Sequence, residues 1–429
     1  MGMYEKLLFK QMSKLPFMKL EAVVREKLKA GGAPKPGKAA REIVRALRAG
    51  REPRIRWAAK DETADKTIDV SLSPDEIDEM IAETEAFVEN GFGSMVADLR
   101  TSASRAIGKT LAKDWPAQWK WQTETDAGFR ERLEDRWGEA FTYLRMMLTI
   151  SREIAGEVHR KQAKRRSKKN QHKREVMQRL HGRGCQIVAE ILTLMQNGFA
   201  DGAMARWRTL HEITVVAALI ADHDDDLARR YLDHEAVESK RALDLHRKHE
   251  IELGLLPFEA SEIAEIEGRF EDMRQRYGKL FLEPYGWAAH HVGCDGKQFR
   301  HLEDAADKAA NRPYYKMASY NVHAGTKGIT FRLGLLGREG FLSGASNAGF
   351  LEPTQHTAFS LTHLTGLLLS EKLGFDEQIQ MQIILDLRDK IPPALRKSDR
   401  KLRRDDLNFR QRALRKSAAP KKSAKPAKL

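Results

Sequence analysis

The chain has 429 residues, of which 41% are hydrophobic and 32% are charged, and its formal net charge is +14 at pH 7. This length and hydrophobic content suffice for a sizeable core and for roughly two or three domains. Two cysteines exclude a disulfide framework or a four-cysteine metal site, and no apolar run approaches the roughly 18 residues that span a bilayer. We therefore expect a cytoplasmic protein with no membrane segment.

The positive charge is concentrated in two segments. Residues 160–174 contain nine lysines and arginines and no acid, and residues 396–429 contain fourteen against three aspartates. Together these segments carry +20, which leaves −6 for the rest of the chain. RNA or another polyanion is therefore expected to bind the basic insert and the basic tail. The candidate contacts are Arg165, Arg166, Lys168, Lys169, Arg403 and Arg404.

Residues 1–120 are predicted to form a mostly helical N-terminal region. The clearest helix start is SPDE, in which Ser73 is the N-cap, Pro74 is the first helical residue and Glu76 completes a capping box. Residues 114–121, DWPAQWKW, contain a proline among aromatic residues and predict a break in the helical structure, either a domain boundary or a docking surface.

Residues 121–395 are predicted to form a central bundle, because apolar residues recur at helical spacing from Arg130 to about Arg247. Residues 284–312 are expected to be rich in loops, and a helix in RPYYKMASYNVHAG is expected to end at Gly325. Pro392 and Pro393 are expected to end the bundle, and residues 396–429 to form a disordered basic tail. The fold class is therefore all-α: a multi-helix bundle with an N-terminal helical appendage and a disordered basic tail.

Four polar residues stand where the helix predicted over 200–221 becomes apolar: Arg206, Arg208, His211 and Glu212. Arg208 and Glu212 are four residues apart and share a helix face, with His211 beside them. One interpretation is a buried Arg208–Glu212 ion pair that fixes the packing of the helix. The other is a functional cluster.

The functional interpretation starts from Arg206 and His211, whose Arg-x4-His spacing is similar to that of the HEPN ribonucleases. That resemblance implies a metal-independent reaction at a homodimer interface. A histidine there takes the proton of a ribose 2′-hydroxyl, and an arginine stabilises the charge on the phosphate. A regular helix places the two side chains about 140° apart, so Arg208 shares a face with His211 better.

The middle of the chain resembles a large bacterial all-helical family of unknown function, DUF5677. The likeness rests on a helix with Trp137, on NGFADGAMARWRTLHEITVVAALI, on the pair Arg230–Tyr231, and on ASYNVHAG with His323. It covers about residues 136–333. The residues that this resemblance implies as functional are Arg208, Glu212, Tyr231 and His323, and it implies no settled activity.

Two histidine-containing segments are candidate reactive or metal sites. His323 is the alternative general base to His211 if it approaches Arg208 and Glu212. His290, His291, Cys294 and His301 suggest zinc, but glycines interrupt the segment, so we expect neither a metal nor another cofactor.

Two functional hypotheses remain open from the sequence. The first is a helical module without established activity that binds a partner or nucleic acid, in a regulatory or phage-defence role. The second is a metal-independent HEPN-like ribonuclease, acting as a toxin or defence effector, whose tentative catalytic residues are Arg206, Arg208, His211, Glu212 and His323. Whether the protein is an enzyme is left open.

Overall fold

A computed structural model describes residues 12–51, 68, 70–164, 167–337, 340–369 and 374–418. No described residue lies in a β-strand, and the predicted all-α class is confirmed. The α-helices are α1 Leu15–Ala30, α2 Pro36–Arg48, α3 Pro74–Ala86, α4 Phe92–Ala163, α5 Gln171–Gln196, α6 Ala200–Asp222, α7 Asp225–Asp233, α8 Glu235–Leu253, α9 Ala260–Tyr277, α10 Gly286–Val292, α11 Phe299–Ala305, α12 Arg312–Tyr320, α13 Thr326–Thr330, α14 Leu351–Leu368 and α15 Phe375–Ala418. None of these helices is long and apolar enough to cross a membrane.

The chain divides into two compact units after Gln122, within the long helix α4. In the first unit, α1 packs on α2 and α3 around a small core that includes Val24, Leu28 and Ala40. The predicted capping box at Ser73 and Glu76 is confirmed, and the Glu76 carboxylate also accepts a hydrogen bond of 2.6 Å from Lys27 Nζ. The predicted division of the chain at residues 120 and 395 stays a prediction.

The second unit is built around α6. Helices α5, α12 and α14 pack directly on α6, and α15 packs on α14. Beyond Ile213 the sides of α6 are buried almost all round, because its residues are apolar on every face. The largest fully buried side chains of this core are Trp137, Trp207, Phe141, Phe281 and Phe350. Helix α6 therefore holds its polar N-terminal half in a fixed position.

Prolines do not interrupt the long helices where the sequence predicts it. Helix α4 continues through Pro116, so the break predicted at residues 114–121 is wrong. Helix α15 likewise continues through Pro392 and Pro393. The neighbouring Ile391 and Leu395 are fully buried, and this packing offsets the hydrogen bonds that the prolines remove.

Three further expectations need correction. Residues 284–312 contain the short helices α10 and α11 as well as loops, and α12 ends at Tyr320 rather than at Gly325. Residues 396–418 are helical, so the prediction of a disordered tail is wrong for this part. They are held by Leu402, which is buried, and by Ser398, whose hydroxyl donates to the carbonyl of Arg136. Residues 419–429 lie outside the described residues.

Candidate functional site

A polar cluster forms where the N-terminal half of α6 meets α12 and the segment that follows α12. Arg208 Nε donates to Glu212 Oε1 over 3.1 Å, and Tyr315 donates its hydroxyl to the same oxygen over 2.6 Å. The second guanidinium arm, Nη1, lies 3.3 Å from His323 Nε2, and the guanidinium carbon sits 4.8 Å from the centre of the Tyr315 ring. Arg208 is therefore held by a carboxylate, an aromatic face and an imidazole together.

The members of the polar cluster differ in their exposure to solvent. Tyr315 is buried, Arg208 and Glu212 are partly exposed, and His323 is exposed. Burial raises the pKa of the Tyr315 hydroxyl, and the adjacent Glu212 carboxylate raises it further. Burial alone would lower the pKa of Arg208, but Tyr315 and Glu212 outweigh it and the pKa is raised. The guanidinium is thus permanently charged, and the exposed His323 is the member that solvent reaches most freely.

His211 points into the interior, to a second cluster. Its Nε2 lies 3.0 Å from Glu303 Oε1, and the other oxygen of this fully buried carboxylate binds Arg312. The imidazole packs against the rings of Trp207 and Tyr315. Burial lowers the pKa of His211 more than Glu303 raises it. A neutral imidazole that donates Nε2–H to Glu303 fits these surroundings, and it is enclosed rather than accessible.

Arg206 does not join either cluster. Its guanidinium binds the Glu190 carboxylate and contacts the Thr209 hydroxyl, whereas His211 binds Glu303. The two side chains that suggested the HEPN spacing therefore bind different partners, as the wide angle between positions five residues apart on a helix requires. The HEPN-like resemblance is not supported.

Of the four residues implied by the family resemblance, the structure brings Arg208, Glu212 and His323 together. Tyr231 instead packs its ring edge-on against Trp287, with the ring centres 4.9 Å apart, and burial raises the pKa of its hydroxyl. The neighbouring Arg230 donates to the carbonyl of Trp287 over 3.2 Å. Arg230 and Tyr231 thus fasten α7 to α10.

Sequence reasoning missed Tyr315, Glu303 and Arg312. The sequence offers a signal for Tyr315, because this residue and His323 lie in the same short segment, RPYYKMASYNVHAG. The sequence offers no signal for Glu303, because a glutamate in a short charged segment is normally exposed to solvent. Its side chain is nevertheless fully buried. The pairing of Glu303 with His211 and Arg312 depends on the packing of α11 and α12, which spacing alone does not reveal.

The histidines near Cys294 are engaged in separate local contacts. His291 faces Asp224 and Asp226 at 3.7 and 3.8 Å, and His301 lies 3.3 Å from Asp295. Within the described ranges, no group of three or more histidine, cysteine or acidic residues could hold a metal ion.

The basic insert is a short connection between α4 and α5, and part of its charge is used structurally. Lys173 Nζ binds the carbonyls of Ala221 and His223 at the end of α6, at 2.5 and 2.9 Å. Lys161 binds Glu377. Lys168 and Lys169 are exposed in the connecting turn, and Arg165 and Arg166 lie outside the described residues.

The basic C-terminal part of α15 presents a row of arginines to solvent. Leu395, Ser398 and Leu402 form its buried face, and the helical period places Arg400 and Arg404 on the opposite side. Both are exposed, as is Arg403, which forms a 2.7 Å ion pair with Asp399. The predicted contacts in this segment therefore sit on an ordered surface.

Part of the second unit matches a known protein family. Residues 174–340 match the Family of unknown function (DUF5677). The resemblance predicted for the middle of the chain is confirmed, although the match begins later than residue 136 and leaves Trp137 outside it. The DUF5677 region contains α6, α12 and the complete polar cluster. No significant match was found among curated proteins or solved structures.

Proposed function

We propose that this protein is a helical module that binds RNA through the exposed arginines of α15. The observation that carries the proposal is the row of Arg396, Arg400 and Arg404 on one ordered helix, on and beside the face opposite the buried leucines. At about 1.5 Å per residue, the row extends over about 12 Å, a length along which a nucleic-acid strand carries several phosphates.

The distribution of charge favours the same surface. Residues 396–418 contain ten lysines and arginines against three aspartates, whereas the chain outside the two basic segments sums to −6. A polyanion is therefore attracted to α15 and repelled by most of the remaining surface. Guanidinium groups also match phosphate geometry with two parallel hydrogen bonds.

The direct test is the affinity of the full chain for a fluorescent single-stranded RNA, measured by anisotropy. The variant Arg400→Ala/Arg404→Ala is expected to bind about tenfold more weakly or worse, since two phosphate contacts are removed. The matched control is Arg179→Ala/Arg300→Ala, which removes two exposed arginines elsewhere and changes the net charge equally. Equal losses in both variants, or no binding by the unmodified protein, would refute the proposal.

A second candidate function rests on the polar cluster, where an exposed imidazole and a fixed guanidinium lie side by side. In this candidate, His323 takes the proton of a ribose 2′-hydroxyl, and the 2′-oxygen forms a bond to phosphorus as the bond to the 5′-oxygen of the next nucleotide breaks. The products are a 2′,3′-cyclic phosphate and a 5′-hydroxyl, whose oxygen takes its proton from water. Arg208 stabilises the phosphate charge in the transition state. His323 rather than His211 is assigned this role, because His211 is enclosed and bound to Glu303.

RNA incubated with the protein and a metal chelator tests the second candidate. Cleavage is expected with the unmodified chain and is expected to be abolished by His323→Ala. The exposed His290→Ala is the control that retains cleavage. Intact RNA with all three proteins would eliminate the ribonuclease and leave the binding proposal untouched.

A further inference from the structure

Helices α8 and α9 form a hairpin whose tip is apolar and exposed. Every residue from Ile251 to Ala260 is exposed. We define the apolar tip as Ile251, Leu253, Leu255, Leu256 and Phe258. Ile251 and Leu256 have exposed fractions of 96% and 87%. A single exposed leucine is normal on a protein surface, but here several exposed apolar side chains lie together. A contiguous apolar group of this kind marks an interaction surface.

The local structure fixes the shape of the tip. Gly254 ends α8 in the left-handed conformation at φ 60°, and Glu259 with Glu262 forms a capping box that begins α9. The Phe258 ring packs edge-on against His246, with ring centres 4.7 Å apart. The tip is therefore held in one conformation before any partner arrives, which lowers the entropic cost of binding.

The charge around the tip limits the partner. Residues 249–265 contain five glutamates and no lysine or arginine. Negative charge at this density disfavours RNA and an anionic lipid surface, which would otherwise compete for an exposed apolar loop. The partner should instead combine an exposed apolar side chain with positive charge.

The far end of α15 has this combination. Leu395 and Leu402 lie seven residues apart on the buried face, and Phe409 continues the same stripe after a further seven residues. The stripe is covered at Leu402 but 72% exposed at Phe409. Residues 407–415 contain three arginines and no acid, and Arg412 lies one turn beyond Phe409. We call this segment the Phe409 end.

We propose that the apolar tip of one copy of this chain binds the Phe409 end of a second copy. Both surfaces are exposed within a single copy, so neither covers the other there. In a two-fold dimer each copy contributes both surfaces, so the contact forms twice and closes without leaving a free end. Because the contact forms twice, the total surface that the dimer buries is doubled. Stable interfaces bury about 1,200 Å² or more in total. This pairing goes beyond the RNA-binding proposal, which uses Arg396, Arg400 and Arg404.

Analytical ultracentrifugation of nuclease-treated full-length protein tests the pairing without RNA bridges. The 48.8 kDa chain is expected to sediment as a dimer at micromolar concentration. Leu256→Ser and Phe409→Ser are each expected to raise the dimer dissociation constant roughly tenfold or more. The matched controls are Leu245→Ser on α8 and Ile383→Ser on α15, which remove exposed apolar side chains outside the two surfaces and should leave the constant unchanged.

Charge exchange adds an independent readout. Glu252→Arg and Arg412→Glu should each weaken the dimer, and the double variant should recover part of the loss, because the two charges are exchanged across the interface. If the wild-type protein is monomeric at about 100 μM, the proposal is overturned. The partner of the apolar tip would then be a basic segment of another protein. A dimer that survives either Leu256→Ser or Phe409→Ser unchanged would also overturn it.

Discussion

His181 makes the stability of the second unit dependent on pH. The side chain is fully buried, with Nε2 3.2 Å from the Thr365 hydroxyl and Nδ1 3.7 Å from Cys185 Sγ. Burial lowers the pKa of this imidazole from 6.5 to about 4. As the pH falls below 6.5, the unfolded chain binds a proton that the folded chain does not bind, so stability is lost until the pH reaches about 4. At about 1.4 kcal/mol per pKa unit, the full loss is about 3 kcal/mol.

Urea unfolding at neutral pH and at about pH 5 measures this effect. The contribution of His181 to the loss over that interval is about 2 kcal/mol. His181→Gln cannot titrate, so its free energy of unfolding should fall by about 2 kcal/mol less than that of the wild type between the two pH values. The exposed His290→Gln is the control that should lose as much as the wild type. An equal loss in His181→Gln and in the wild type would refute the reasoning.

Two further substitutions test the packing that positions the site. Glu303→Ala leaves His211 and Arg312 without their buried carboxylate, and we expect a loss of about 3–5 kcal/mol in the free energy of unfolding, measured by urea titration, with a smaller loss for Glu303→Gln. Gly349→Ala places a Cβ against the carbonyl oxygen of Leu333 at a backbone φ of 88°, and we expect a lower thermal midpoint by calorimetry. Gly182→Ala, whose Cβ meets nothing in the interior of helix α5, should instead keep or raise the midpoint.

The all-α class and several helix starts could be predicted because they depend on local sequence. The capping box at Ser73 and Glu76 uses only residues three apart, and the apolar stripe of α6 is visible from its period. The helix ends were predicted less well at prolines. Pro392 and Pro393 normally end a helix, but burial of Ile391 and Leu395 against the rest of the unit outweighs the local preference.

The candidate site was only partly predictable for a related reason. The Arg208–Glu212 contact follows from spacing within one helix. Tyr315 and His323 reach that pair from a segment more than a hundred residues later, so their arrival depends on how α12 packs on α6. The family resemblance indicated His323 and spacing did not. Neither of them indicated that His211 is enclosed with Glu303.

The salt dependence of RNA affinity tests the central claim most directly. The logarithm of the association constant should fall linearly with the logarithm of the salt concentration, with a slope of about −0.7 for each phosphate contact to a single strand. We predict that Arg400→Ala/Arg404→Ala reduces the magnitude of this slope by about 1.4 relative to the wild type, because two contacts are lost. An identical slope in the two proteins would contradict the assignment of RNA binding to α15.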